Sequence, residues 1–268
     1  AVWVDSCADF SVDLVESVLL SAVPAEPHPV RQSVVATTAV IRFLMIFFIL
    51  FISFFNGRSD MGNLHMMEEI KRQGHLKKTA EAVENALIQC GQDIKNHKIG
   101  RVIITGSGDS YYIGLCARLF FEELCPTCSI EVLSSMEFSK YGLHKADGKT
   151  AVIAISISGN VLRTIECVEQ AQHNGAYVIG ITNNRQSRLA QVAKCPVCLD
   201  LDTEPTWTCG TLTYTGSLYA LARTALALSP LKSPVVQARL DQLNSVLTSL
   251  EDVIRESEPV CRAAARNM

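Results

Sequence analysis

The sequence has little net charge, which argues against proteins that bind nucleic acids or anionic membranes through a basic surface. Its 268 residues carry a formal net charge of −3, so it lacks the basic excess that draws proteins to nucleic acid or to an anionic membrane surface. Charged residues make up 19% and apolar residues 48% of the chain. These ordinary values exclude both disorder and a fibrous repeat. The length predicts one large domain, or one domain with an appendage.

The first 60 residues contain no lysine, the first being Lys71, yet they hold 7 of the 10 phenylalanines. This change of composition predicts a boundary near Met61, with an atypical N-terminal extension over residues 1–60. The run from Phe43 to Phe55 is uncharged and apolar, but its 13 residues fall short of the ~20 that a helix needs to cross a bilayer. Three interpretations stay open: a non-native extension, a buried or disordered appendage, or a membrane anchor over residues 34–55.

After this boundary, short apolar runs alternate with helix-like stretches. Five runs rich in β-branched residues suit strands buried on both faces of a parallel sheet; they lie at residues 101–105, 129–134, 151–156, 177–182 and 196–201. The intervening and following stretches predict helices near residues 110–124, 160–174, 186–194 and 208–228. We therefore expect a doubly wound α/β fold with a five-stranded parallel sheet in the flavodoxin-like order 2-1-3-4-5.

Two apolar stripes flank this alternation. Leu76 to Ile94 and Val236 to Ile254 each repeat apolar residues at spacings of four and three, the pattern of an amphipathic helix. We expect an α/β domain over residues 61–232 with an N-terminal helix, and a C-terminal helix within residues 233–268. Either stripe could pack over the sheet, form a dimer interface, or do both.

The ten cysteines raise the question of a metal site, because two Cys-x-x-Cys pairs, Cys125/Cys128 and Cys195/Cys198, are present. In the expected strand order they precede strands 2 and 5, at opposite edges of the sheet, so they cannot converge on one tetrahedral ion. Redox chemistry favours a thiol at a helix N-terminus, whereas these thiols precede strands. We expect structural free thiols and no metal.

The chemistry is expected where strands 1 and 3 end side by side, since ligands of open α/β sheets bind beyond the carboxyl ends of the strands at such a switch point. Both strands run into short turns rich in glycine and serine, Gly106–Ser110 and Ser156–Asn160. One such turn could be a plain helix cap, but two at neighbouring strand ends favour a ligand. Helix N–H groups and serine hydroxyls predict a phosphate or similar anion; the hydroxyls belong to Ser107, Ser110, Ser156 and Ser158.

Nucleotide cofactors fit these turns poorly. The dinucleotide fingerprint needs a third glycine at the position of Tyr111, and a Walker A loop needs a lysine that neither turn contains. We therefore expect no cofactor.

Residues 66–228 resemble the sugar isomerase (SIS) domain family, most closely the first SIS domain of glucosamine-6-phosphate synthases and their deglycase relatives. The resemblance rests on five segments in the order and spacing of the family: Met67–Ile70, Gly108–Tyr112, Ser135–Phe138, Ala154–Gly159 and Thr211–Thr215. It implies a flavodoxin-like sheet, a sugar-phosphate ligand and a homodimer. We expect a cytoplasmic location. The resemblance also implies a set of phosphate contacts: Ser110, Ser156, the Ile157 backbone and Ser158, with Val161 at the next contact.

The sequence departs from the family pattern at three positions near this site. Val161 stands where the family usually has a threonine that binds phosphate, Asp109 where a threonine is common, and Leu212 where a lysine is frequent. Losing one hydroxyl donor costs about 1 kcal/mol of binding, and the negative charge of Asp109 would repel an anion. We expect weaker phosphate binding than the family pattern implies.

Isomerisation of a sugar phosphate moves a proton between C1 and C2, which needs a carboxylate or a histidine as base. Glu137 after strand 2, Glu204 after strand 5 and His144 are the candidates, although each could instead have a structural or solvent-facing role. In the resembled family a second SIS domain supplies most acid and base residues, and we expect the C-terminal helix to lead towards one. The chain is therefore expected to belong to an isomerase, aminotransferase or deglycase, or else to be a non-catalytic sugar-phosphate sensor.

Overall fold

The computed structural model describes residues 60–203 and 210–266. Residues 1–59, which make up almost all of the predicted N-terminal extension, and the candidate base Glu204 lie outside the described residues. Two compact units are present: Leu64–Ile254, which contains the whole sheet, and a second unit that includes the described residues from Arg255 onwards. Within the described ranges, no helix is long and apolar enough to cross a membrane.

One parallel sheet of five strands forms the centre of the larger unit, in the order β2-β1-β3-β4-β5. The predicted fold class and strand order are confirmed. β5 ends at Cys198 rather than Leu201, because Asp200 has a φ of 51° and a positive φ breaks an extended strand. The strands are β1 (Arg101–Gly106), β2 (Ser129–Ser134), β3 (Thr150–Ile155), β4 (Tyr177–Thr182) and β5 (Cys195–Cys198).

Helices connect and flank the strands, and each helix predicted between or after them is confirmed within a few residues at its ends. The helices are α1 (Asp60–Lys71), α2 (Leu76–Asn96), α3 (Asp109–Leu124), α4 (Ser135–Glu137), α5 (Leu162–His173), α6 (Arg188–Val192), α7 (Thr211–Leu228) and α8 (Ser233–Arg266). The patterns missed the helical segment after β2, where α4 continues into a π turn (Phe138–Gly142) and a 3-10 turn (Leu143–Lys145). Each of these pieces is too short to show helical periodicity.

The sheet is covered on both faces, and every residue of β3 and β4 is buried, as expected for the central strands of a parallel sheet. On one face, Ile103, Val152 and Val178 form a core cluster with residues of α5. Ile104, next along β1, points to the opposite face, where its side chain lies against Gly114 of α3. The two layers of helices thus pack against the strands on both faces of the sheet.

The predicted N-terminal stripe is the buried face of α2. Leu76, Val83, Leu87 and Ile94 are all buried, and α2 packs against α7 and β5. This stripe therefore serves packing within the chain. The C-terminal stripe lies on α8, where Leu247 is buried.

The two Cys-x-x-Cys pairs lie at opposite edges of the sheet, as the strand order predicted. Cys125 and Cys128 come just before β2, whereas Cys195 and Cys198 are the first and last residues of β5 itself rather than preceding it. Cys125 is buried with its Sγ 3.7 Å from the Ala225 carbonyl oxygen, and burial raises the pKa of this thiol to about 12. The Cys128 thiol donates to the Ile99 carbonyl at 3.4 Å. These thiols are packing groups with backbone partners, and no cluster of metal-ligating side chains occurs in the part of the chain that the structure describes.

Candidate functional site

The carboxyl ends of β1 and β3 lie side by side, and the turn that follows each strand leads to a helix. Gly106 pairs in register with Ile155, and a Cβ atom at Gly106 would lie 3.1 Å from the Ile155 carbonyl oxygen and 2.6 Å from Ser110 Cβ. Glycine allows this close approach because it has no Cβ. We call the two turns the glycine turn (Gly106–Ser110) and the serine turn (Ser156–Asn160).

The glycine turn leads into α3 through Gly108, the N-cap residue, whose φ is 58° and which offers no side-chain cap. The first N–H groups of an α-helix have no partner one turn earlier. In α3 the Tyr111 and Tyr112 N–H groups donate to the Gly108 carbonyl, which leaves those of Asp109 and Ser110 for an anion. Ser107 is exposed and Ser110 is buried at the start of the helix. The turn therefore offers N–H groups and two hydroxyls.

The serine turn contains a buried hydroxyl that lacks a protein partner. Ser156 is 2% exposed, and among the described residues nothing hydrogen bonds to its Oγ. Ser158 is exposed, and Val161 forms the N-cap of α5 without a side-chain hydrogen bond. A buried hydroxyl without a partner costs about 1–3 kcal/mol, a cost that a ligand accepting its hydrogen bond would remove.

Asp109 brings a negative charge close to this site. It is exposed in the first turn of α3. Burial, a contact of 3.3 Å with the Cys116 thiol, and the charge of Asp109 raise the pKa of Tyr214 on α7. The Asp109 carboxylate thus lies close enough to α7 to act on Tyr214. Its negative charge in the first turn of α3 would also repel an anion bound at the glycine turn.

Glu137 belongs to a capping box at the start of α4. Its Oε2 accepts a hydrogen bond from the Ser134 N–H at 2.9 Å, and its own N–H donates to Ser134 Oγ at 3.2 Å. The backbone hydrogen bond from Ser134, followed by the side-chain bond, lowers the pKa of Glu137. A carboxylate with a lowered pKa is a weaker base at neutral pH.

The other candidate positions lie in different surroundings. His144 is exposed on the 3-10 turn that precedes β3. Leu212 is 1% exposed in the first turn of α7, where its side chain is part of the core. Glu204 lies outside the described residues.

Glu69 is a structural residue whose role the sequence patterns did not indicate. It is 8% exposed on α1, and its Oε2 accepts the Thr211 N–H at 2.7 Å, the Thr211 hydroxyl at 3.2 Å and the Leu212 N–H at 3.4 Å. A carboxylate at a helix N-terminus satisfies open N–H groups and interacts favourably with the helix dipole. Glu69 therefore caps α7 from the start of the domain and occupies the N–H groups that an outside anion would otherwise use there.

Known proteins with similar sequences share this part of the chain. The SIS domain family model matches residues 95–229, half of the 268-residue chain. Glutamine–fructose-6-phosphate aminotransferase of Aeropyrum pernix is 28% identical over 167 residues, which cover 62% of this chain and 27% of the relative. Glutamine–fructose-6-phosphate aminotransferase 1 of Arabidopsis thaliana is 31% identical over 129 residues, which cover 48% of this chain and 18% of the relative. The chain thus spans less than a third of the length of these relatives.

Solved structures share the fold. The C-terminal domain of glucosamine-fructose-6-phosphate aminotransferase from Francisella tularensis matches with a TM-score of 0.58 and 19% identity, covering 69% of this chain and 54% of that one. Glucosamine-6-phosphate deaminase from Thermotoga maritima matches with a TM-score of 0.52 and 16% identity, covering 70% of this chain and 54% of that one. These likenesses support the α/β architecture, and the family match covers both turns at the switch point. The chain belongs to the SIS domain family.

Proposed function

We propose that this chain binds a sugar phosphate, with the phosphate group between the glycine turn and the serine turn. The observation that carries the proposal is the Ser156 hydroxyl, which is 2% exposed and lacks a partner in the described residues. Open N–H groups at the starts of α3 and α5 supply the positive dipole ends that favour an anion. Family membership supplies the ligand class.

Titration calorimetry tests the ligand class. Fructose-6-phosphate, glucose-6-phosphate and glucosamine-6-phosphate are compared with the unphosphorylated sugars. We expect the phosphates to bind and the free sugars to give no measurable heat, because the turns contact the phosphate group. Equal binding of fructose and fructose-6-phosphate, or no binding of any phosphate, would contradict the proposal.

A serine pair tests the location of the site. Ser158→Ala should weaken phosphosugar binding by about 1–3 kcal/mol, since it removes a donor to a charged acceptor. Ser139→Ala is the control outside both turns, because Ser139 is a half-buried serine whose hydroxyl donates to the Met136 carbonyl at 2.8 Å. If Ser158→Ala binds as tightly as Ser139→Ala, the phosphate does not bind at the serine turn.

The reaction that follows binding is that of an amino-sugar or sugar-phosphate isomerase, aminotransferase or deglycase, with Glu137 and Glu204 as the candidate acid/base groups. The capping box of Glu137 favours slow turnover by this chain and supports a second candidate, a non-catalytic sugar-phosphate sensor. A coupled isomerase assay separates the two. Turnover at ordinary enzyme rates that is abolished by Glu137→Gln or Glu204→Gln would establish the enzyme and reject the sensor.

A homodimer in the cytoplasm completes the proposal. Tyr112, Leu115 and Leu119 stand three and four residues apart on α3 and are 58%, 39% and 63% exposed; an apolar helix face of this kind supports an interface between two copies. Sedimentation velocity over a range of concentrations tests the dimer, which a monomer at every concentration would contradict. Cell fractionation of the full chain tests the location.

A further inference from the structure

The serine turn is hydrogen bonded to the segment that joins β4 to α6. We call this segment, Thr182–Leu189, the supporting segment. Its Asn183 N–H donates to the Ile157 carbonyl at 2.9 Å, and its Leu189 N–H donates to the Gly159 carbonyl at 2.9 Å. Carbonyl oxygens carry partial negative charge and would repel an anion. A turn whose carbonyl groups are bound elsewhere presents N–H dipoles to a ligand instead.

The carbonyl of Ser158, which lies between these two, is held by a side chain. Asn160 Nδ2 donates to the Ser158 carbonyl at 3.0 Å, and the Asn160 N–H donates to Ser158 Oγ at 3.3 Å. The amide oxygen of Asn160 is itself fixed, because it accepts the Arg188 N–H at 3.2 Å. One asparagine thus links Ser158 to the start of α6.

These contacts fix both the backbone and the hydroxyl of Ser158. The bond to its carbonyl opposes rotation of the peptide unit that follows Ser158. The bond to its Oγ occupies an acceptor site and leaves the hydroxyl hydrogen free to donate. Ser158 is an exposed residue. Without these contacts its side chain would have to become ordered when the ligand binds, and that entropy cost would weaken the affinity.

We infer that Asn160 is a positioning residue of the phosphate site. It acts through Ser158 and is held in place by the Arg188 N–H. The inference rests on the proposed function, since it assigns a role in binding the phosphate group. Asn160 Nδ2 and Oδ1 both have protein partners, so the side chain acts by orienting the serine turn.

A proline substitution tests this link without altering the turn itself. Arg188 is the first residue of α6, and Ser187 before it has φ −69° and ψ 158°. Proline is favoured at the first helical position, and this backbone suits the residue before a proline. Arg188→Pro therefore removes the N–H that holds Asn160 while keeping the helix start.

Arg188→Ala is the reference, because both variants lose the ion pair between Arg188 and Glu169 and only the proline loses the N–H. Binding of fructose-6-phosphate and of inorganic phosphate is measured by calorimetry. We expect Arg188→Pro to bind both about fivefold more weakly than Arg188→Ala, the size of one net hydrogen bond. Equal affinities of the two variants would overturn the inference while leaving the proposed function intact.

The same pair is then compared in an Asn160→Ala background. Asn160→Ala alone should weaken binding about tenfold, whereas Asn184→Ala is the control, since Asn184 Oδ1 accepts the Gln186 N–H at 2.9 Å within the supporting segment. In the Asn160→Ala background, proline and alanine at position 188 should bind equally. A fivefold difference that persists there would show that the N–H acts by another route and would overturn the inference.

Two results separate failure of the inference from other failures. Thermal unfolding of each variant checks that it folds. If Arg188→Pro is unfolded, the phosphate affinities of Asn160→Ala and Asn184→Ala are compared instead. Equal affinities of these two variants would overturn the inference. If the wild-type chain binds no phosphate or phosphosugar, the proposed function is wrong and the inference falls with it.

Discussion

The glycine turn and the serine turn follow neighbouring strands and lead to helices in the same way, yet the chain supports them differently. The serine turn is held by hydrogen bonds from the supporting segment. At the glycine turn, the Gly108 carbonyl accepts N–H groups from Tyr111 and Tyr112 of its own helix, and a Cβ atom at Gly108 would meet nothing within 4 Å. One half of the candidate site is fixed by the rest of the domain, and the other half depends on local contacts.

This difference shows how similar Gly/Ser compositions can serve different parts of one binding site. A fixed turn presents its donors without further ordering, which favours affinity. The open space beside Gly108 can accommodate sugars of different shape. We therefore expect changes in the serine turn to affect stability and phosphate affinity strongly, and changes at Ser107 and Gly108 of the glycine turn to affect both less.

The largest expected effect is on stability, from two glycine substitutions. Gly159 has a φ of 65°, and a Cβ there would lie 2.1 Å from Ser187 Oγ and 2.3 Å from Ser187 Cβ. Gly159→Ala combines backbone strain with overpacking and should lower the free energy of unfolding by about 3–4 kcal/mol. Gly108→Ala meets open space, so only its positive φ should count, at about 1–2 kcal/mol.

Chemical denaturation of both variants measures this difference. Arg188→Ala in the supporting segment is the control for a change that leaves the turn backbone alone. Equal losses of stability for Gly159→Ala and Gly108→Ala would mean that the supporting segment does not confine the serine turn.

A second comparison separates stability from binding. Ser156→Ala removes a buried hydroxyl that has no partner in the described residues, so the free energy of unfolding should stay equal or rise by up to ~1 kcal/mol. The same change should weaken phosphosugar binding by about 1–3 kcal/mol. Ser107→Ala, at an exposed position of the glycine turn, should change the free energy of unfolding by less than ~0.5 kcal/mol. It should weaken phosphosugar binding less than Ser156→Ala does, because an exposed hydroxyl has to be ordered when the ligand binds.

Denaturation and calorimetry on the same protein samples measure both quantities. A loss of stability without a loss of affinity in Ser156→Ala would show that the hydroxyl has a structural partner and that the phosphate binds elsewhere.

The sheet could be predicted because its signals are local and repeated. Each strand is a run of apolar residues bounded by helix-like stretches, and the commonest order for five such strands is the one observed. The Gly/Ser turns could be predicted for the same reason, since the ends of β1 and β3 fix where Gly106 and Ser156 stand.

The supports of the site could not be predicted, because each is a single contact between distant residues. Glu69 caps α7 from 142 residues away, and Asn160 meets the Arg188 N–H from 28 residues away. Neither residue belongs to a periodic pattern. From the sequence alone, an asparagine or a glutamate at these positions could equally be a solvent-exposed polar residue. Only folding the strands into their order brings such pairs together.

The smallest expected effect concerns an ion pair that ties the supporting segment to the end of β5. Arg185 Nε donates to Asp200 Oδ1 at 2.9 Å, and this hydrogen bond lowers the pKa of Asp200. A lowered pKa means that the pair stabilises the folded state fully above the ordinary aspartate pKa of about 3.9, and that this stabilisation is lost as the pH falls through the folded value. Both side chains are more than a third exposed, so we expect less than ~1 kcal/mol.

Asp200→Asn tests this pair with little change in shape, because asparagine tolerates the positive φ at this position. At pH 7 and low salt the variant should unfold slightly more easily than the wild type. The difference should shrink at high salt, and it should shrink as the pH falls below about 3.9 towards the lowered pKa of Asp200 in the folded state. Urea denaturation over this pH range measures it, with Asp202→Asn, an exposed neighbour, as the control. If the two variants behave alike, the effect belongs to net charge, and the supporting segment does not depend on Asp200.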